Sequence, residues 1–144
     1  MFQRVLTAVL VCASVSPLSS QAPPAIEEAR RQFAIGAQHE RQRQFAEAAR
    51  AYETAIAHDA RFAEAHDRLG FVYGLLGRTA DAVAQFERAL EADPALFDAH
   101  YHLGATLWWT RQIDRARAIL QAAVRLRPDH AEARYYLGLA LKNS

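Results

Sequence analysis

Apolar and small residues recur along this chain at the spacing of amphipathic helices. The clearest stretch runs from 63 to 96, AEAHDRLGFVYGLLGRTADAVAQFERALEADPAL. It predicts two short helices joined by a tight turn at Gly77, with Pro94 closing the second. The outline returns on both sides. Leu69-Gly70 has counterparts 34 residues later in Leu103-Gly104, again in Leu137-Gly138, and 34 residues earlier in Ile35-Gly36. Ala82, Phe86 and Ala89 correspond to Ala116, Leu120 and Ala123 downstream and to Ala48, Tyr52 and Ala55 upstream, while Pro94 has its counterpart in Pro128.

A 34-residue period with a small pair in the first helix, an Ala-x-x-x-aromatic in the second and a closing Pro resembles the tetratricopeptide repeat. Leu69, Gly70, Tyr73, Ala82, Phe86, Ala89 and Pro94 all fall where that family carries its signature residues. The resemblance implies an all-α, right-handed helical-hairpin solenoid: repeat 1 over 23–62, repeat 2 over 63–96, repeat 3 over 97–130, and an unpaired capping helix over 131–144. Helices are expected at 25–42, 45–58, 62–76, 79–92, 96–110, 113–126 and 130–142, with loops of two to four residues. Pro23-Pro24 suits the opening turn of the first, Gly77 the end of the third, and Thr79 the N-cap of the fourth.

The repeated positions carry physical demands. A mid-helix Gly costs about 0.5–1 kcal/mol against Ala, and Gly36, Gly70, Gly104 and Gly138 repeat that cost. Close approach of each second helix, with its small Ala48, Ala82 or Ala116, is the expected compensation. Ala55, Ala89 and Ala123 are expected to let each second helix touch the next first helix. Ile35, Leu69, Leu103 and Leu137 should fill the seams, facing Tyr52, Phe86 and Leu120. Repeat 1 is the most degenerate, with His39 and Ala60 where repeat 2 has Tyr73 and Pro94, as a terminal repeat facing solvent on one side permits.

The first residues are of another kind. Arg4 precedes an apolar run, VLTAVLVCASV at 5–15, followed by a Pro-, Ser- and Gln-containing stretch at 16–24. That order predicts a secretory signal peptide over 1–22. Ser20-Gln21-Ala22 fits the small-x-small cleavage rule, Pro23 disfavours a cut there, and cleavage after Ser20 is the rival. The run is shorter than the about 20 residues a membrane span needs. An uncleaved anchor is the alternative, and a lipid anchor on Cys12 is disfavoured by the bulky Val11 before it. Removal of the leader leaves 16 basic and 16 acidic side chains and no cysteine, so no basic field exists for nucleic acid and no disulfide is required. The expected location is outside the cytoplasm, in a bacterial periplasm or secreted.

In the family this sequence resembles, first helices line a concave groove. At about 100° per residue one face of each first helix points there. It carries Arg30, Phe33, Glu40 and Arg41, then Glu64, Asp67, Arg68 and Phe71, then Asp98, Tyr101, His102, Trp108 and Trp109, and last Glu132, Tyr135 and Tyr136. Aromatic area with polar tips suits peptide binding. Asp67, Arg68, Phe71, Tyr101, His102, Trp108, Trp109, Tyr135 and Tyr136 are therefore the candidate groove, with packing between adjacent first helices the competing role. Trp108 and Trp109 are adjacent and diverge by about 100°, so both cannot enter one seam.

Other chemistry finds little footing. The Lys/Asn clamp by which some relatives hold chaperone C-termini is missing, since Phe33, Ala37, Arg68, Asp98 and His102 occupy its positions. The Asn ladder of a sugar-transferring relative is replaced by Ala34, Arg68, His102 and Tyr136. His100 and His102 lie about 200° apart on a helix, where zinc pairs want three- or four-residue spacing. No metal, cofactor or catalytic set is expected, because neither a phosphate loop nor a nucleophile elbow occurs. The expectation is a non-enzymatic scaffold for a protein or peptide partner, acting as an adaptor or assembly factor. The alternatives are a module that self-associates through its C-terminal helix, and an enzyme's accessory domain.

Overall fold

A computed structural model describes residues 22–142 of the chain. The predicted signal segment, its cleavage points and Cys12 lie outside the described residues, apart from Ala22. Within them, seven helices follow in order: α1 Pro24–Arg41, α2 Phe45–His58, α3 Ala63–Leu75, α4 Thr79–Ala92, α5 Phe97–Trp109, α6 Ile113–Leu126 and α7 Ala131–Lys142. Each odd-numbered helix pairs with the next to form a hairpin (α1/α2, α3/α4, α5/α6), and each second helix also packs on the following first helix (α2/α3, α4/α5, α6/α7). Contacts α3/α5 and α5/α7 run along one side, which places the first helices in a row. This is the expected solenoid of three hairpins and a final helix.

Pro23 caps α1 with extended backbone and Pro24 fills its first position, where the missing N–H costs nothing. Three hairpin turns share one device. Arg43, Gly77 and Arg111, spaced by the repeat, take left-handed backbone with φ of 60°, 77° and 65°. The Gly77 N–H reaches the Gly74 carbonyl at 3.0 Å and the Arg78 N–H reaches the Tyr73 carbonyl at 2.8 Å, closing the last turn of α3. The chain leaves this turn so quickly that Arg78, not Thr79, is the N-cap of α4, and no side chain caps it. The Arg78 carbonyl already accepts the Ala82 N–H at 2.9 Å, so Thr79 stands inside the helix.

The seams explain three of the four repeated glycines. A Cβ placed on Gly36 would lie 2.7 Å from the Tyr52 ring, on Gly70 2.7 Å from Phe86, and on Gly104 2.6 Å from Leu120 Cγ. The second helix does come close, but a large side chain occupies the space; small Ala82 adds only its carbonyl oxygen, 3.0 Å from the Gly70 position. Gly138 differs, since a Cβ there would meet nothing within 4 Å. Its expected compensation is absent because no second helix follows α7 among the described residues. Ile35 also departs from expectation. Leu69 and Leu103 are buried in seams, whereas Ile35 is 37% exposed, since no hairpin precedes α1 among the described residues. Tyr52, Val72, Leu103, Leu107 and Leu120 form the most enclosed part of the core.

Candidate functional site

Row packing of α1, α3, α5 and α7 brings the candidate groove residues onto one surface, and polar pairs stitch it crosswise. Glu40 of α1 accepts from Arg68 of α3 through both Nε and Nη2, and from the Tyr52 hydroxyl at 2.8 Å. Asp67 of α3 accepts from His102 Nδ1 of α5 at 2.8 Å. The Tyr101 hydroxyl of α5 donates to Glu132 of α7 at 3.2 Å, and Trp109 Nε1 donates to the Tyr136 hydroxyl at 3.2 Å.

Burial sets the electrostatics of these pairs. Asp67 is only 3% exposed, and its neighbour on the helix, Arg68, is half-buried with its guanidinium 4.7 Å from the centre of the Phe71 ring. Desolvation lowers the Arg68 pKa, against the attraction of Asp98. Desolvation also pushes the Tyr52, Tyr73 and Tyr101 hydroxyls up to about 12, helped by Glu53 beside Tyr73 and Glu132 beside Tyr101. The Tyr73 hydroxyl donates to Glu53 at 2.5 Å.

The aromatic candidates divide. The His102 ring lies 5.3 Å from Phe71 and 5.6 Å from Phe86, packing between α3 and α5. Tyr101 stacks parallel to Phe97 at 6.1 Å and approaches His130 at 5.0 Å. Trp108 packs against the core, edge-on to Trp109 at 4.9 Å and to Tyr136 at 5.7 Å, and its buried Nε1 has no partner. Trp109 and Tyr135 present the open area, 67% and 64% exposed. The two tryptophans thus diverge as their adjacency requires.

Between α3 and α5 the surface dips into a pocket of about 490 Å³, lined by Gly70, Phe71, Gly74, Leu75, Phe86, Tyr101, His102, Ala105, Thr106 and Trp109. Sequence reasoning singled out Phe71, Tyr101, His102 and Trp109 but passed over Gly74, Leu75, Ala105 and Thr106. The repeat register held the missing signal: Leu75 stands 34 residues before Trp109, at the same place on its helix. Histidines outside the groove serve the loops. His66 Nε2 donates to the Ala60 carbonyl at 3.0 Å, and His100 Nε2 to the Pro94 carbonyl at 2.8 Å. His130 Nδ1 accepts the Ala133 N–H at 3.1 Å, capping α7. Among the described residues no three His, Cys, Asp or Glu side chains gather as a metal site. Nor is any described helix long and apolar enough to cross a membrane.

Two family profiles described as Tetratricopeptide repeat match the sequence, over residues 33–96 and 75–141. The chain belongs to the tetratricopeptide-repeat family. No curated protein sequence matches it. Among solved structures it is similar to the first tetratricopeptide domain of Spaghetti (RPAP3), bound to the HSP90 peptide SRMEEVD. That likeness has a TM-score of 0.79 and 18% identity over 82% of this chain and 94% of that one, and it is a likeness of fold. It is similar to the MamA protein at a TM-score of 0.75 and 27% identity, over 81% of this chain. It is also similar to a Thermobaculum terrenum O-GlcNAc transferase at 0.76 and 26%, over 86% of this chain. The chain spans 64% of the MamA chain and 24% of the transferase chain.

Proposed function

We propose that this protein is an exported, non-catalytic scaffold that holds a peptide or protein segment in its concave groove and serves as an adaptor or assembly factor in a bacterial envelope. The observation that carries the reading is the exposed Trp109 at the edge of the α3/α5 pocket; the Spaghetti domain, similar in fold, is bound to an HSP90 peptide. A solvent-reaching indole beside a concavity offers large contact area at low conformational cost. The partner of this chain differs from the acidic peptide SRMEEVD bound to that relative, because Arg68, the one basic residue at the clamp positions, is already held by Glu40. The export element of the proposal rests on the charged, apolar and small-polar order of residues 1–22.

The test is affinity capture with the tagged chain from its native envelope fraction, followed by titration of each captured partner against Trp fluorescence. Trp109→Ala is expected to weaken the true partner by about tenfold or more, the loss of a hot-spot anchor. Unchanged affinity in that variant and in Tyr135→Ala removes the groove from the mechanism. Recovery of the chain in the cytoplasmic fraction with Met1 intact defeats the export reading.

A second reading is self-association through α7. Gly138 lacks the filled seam that Gly36, Gly70 and Gly104 share, and Tyr135 beside it is exposed. Sedimentation across a concentration series decides: a mass that stays monomeric at every concentration excludes it.

A further inference from the structure

Gly74 is the least explained residue on α3. It lies in the last turn of α3, where alanine is the better helix former, and a Cβ at its position would meet nothing within 4 Å. One turn earlier, Gly70 is required by the Phe86 ring. Gly74 has no such neighbour. It does line the pocket between α3 and α5, and there the absence of a side chain keeps the space open.

The pocket has a definite chemistry. None of its lining residues is Asp, Glu, Lys or Arg. Its polar hydrogens are spent: Thr106 Oγ1 donates to the His102 carbonyl at 2.7 Å, Tyr101 to Glu132, and Trp109 to Tyr136. The adjoining Arg68 is neutralised by Glu40. A carboxylate entering here would find no donor and no free cation. His102 is the exception to the closed accounts. Its Nδ1 donates to the Asp67 carboxylate, which only accepts, so in the neutral ring the proton sits on Nδ1 and Nε2 carries a lone pair. Nε2 makes no hydrogen bond within the described residues and is not sealed from solvent.

We infer that this pocket anchors one large uncharged apolar side chain from an internal, extended stretch of a polypeptide, and that His102 Nε2 accepts a backbone N–H of that stretch. The inference deepens the groove reading and rests on it. Phe71, Leu75 and Trp109 supply the apolar walls, and 490 Å³ lies within the about 300–1,000 Å³ typical of ligand pockets. Asp67 acts as a positioning residue, since it fixes the tautomer that makes Nε2 an acceptor. Neither a free carboxy terminus nor flanking charge is required, because the groove holds no unpaired charge against the pocket to read them.

The experiment is an array of short random peptides, each made with a free and with an amidated carboxy terminus, probed with the full mature chain. The expected winners share one Leu, Ile, Met or Phe among uncharged residues and bind equally in both terminal forms. Gly74→Leu puts a side chain into the pocket from a Cβ that meets nothing within 4 Å, and Leu75→Asp places a charge on its wall. Each is expected to keep the helical circular dichroism signal and to reduce binding by about tenfold or more. Replacing one backbone amide beside the anchor with an ester should weaken binding to the wild type. That difference should vanish in Asp67→Leu/His102→Phe, which removes both polar partners together. Winners that are acidic and need a free terminus overturn the inference, as does full binding by Gly74→Leu. If those winners still depend on Trp109 and Tyr135, the groove reading survives. Winners indifferent to Gly74→Leu, Trp109→Ala and Tyr135→Ala alike, or no winners at all, overturn both.

Discussion

Two surfaces of α3 treat the same residue type in opposite ways. Toward α4, Gly70 exists because the Phe86 ring and the Ala82 carbonyl leave no room for a Cβ. Toward α5, Gly74 has ample room and forms part of an open pocket. The hairpin seam is a packing problem solved by subtraction of atoms, and it recurs at Gly36 and Gly104 with Tyr52 and Leu120. The groove face carries two cross-helix pairs, Arg68 with Glu40 and His102 with Asp67, beside a pocket whose lining residues include no Asp, Glu, Lys or Arg. Packing is tightest in the seam, and the open space lies in the groove.

The largest effect that would break this contrast is at the seam. Gly70→Leu forces Phe86 and the backbone of Ala82 to move and is expected to cost about 1–3 kcal/mol or more in a thermal or urea melt. A neutral result would mean that the seam is not close-packed. His102→Ala comes next. It strands the buried Asp67 carboxylate and should cost about 1–3 kcal/mol, more if the charge stays dry. Asp67→Leu/His102→Phe should recover most of that loss, separating the pair's structural role from its role in binding.

Alkali probes the tyrosines that join the two surfaces. Tyr52, Tyr73 and Tyr101 hold their protons to about 12, against 10.0 for the ordinary phenol. Between these values the folded chain binds protons that the unfolded chain has released, so the stabilisation is intact below pH 10 and is lost as pH rises toward 12. Melting temperature should fall across that window, and less steeply in Tyr101→Phe. The smallest effects sharpen the comparison from the other side. Gly74→Ala should add about 0.5–1 kcal/mol of helix stability. Arg111→Gly should gain up to about 1 kcal/mol by relieving a left-handed non-glycine residue. A loss in Gly74→Ala would show that the open position carries packing after all.

Much of the fold was legible along the chain. The boundaries of α2, α4 and α6 follow from the 34-residue register, and Gly77 marks the end of α3, because periodicity and turn chemistry are local properties. The site was less legible. Angular position on a helix brings Asp67, Arg68, Phe71, Tyr101 and His102 to one face, yet it says nothing about which pair across helices. Arg68 reaches Glu40 28 residues away, and Asp67 meets His102 35 residues away. Leu75 and Gly74 were overlooked because an exposed leucine and a bare glycine look ordinary until a neighbouring helix turns them into a wall and an opening.

By itself, the sequence determined the repeat, its register, the glycine and alanine positions where helices approach, and the absence of a basic field. These depend on spacing within one hairpin, which every copy of the motif restates. Only the tertiary structure decided that Trp109 faces solvent while Trp108 turns into the core, that Gly138 stands open where Gly70 is filled, and that Arg68 pairs with Glu40 and Asp67 with His102. Those outcomes arise where one hairpin meets the next, or fails to meet one. The contacts there join residues far apart in the chain, whose distances are set by packing and not by period.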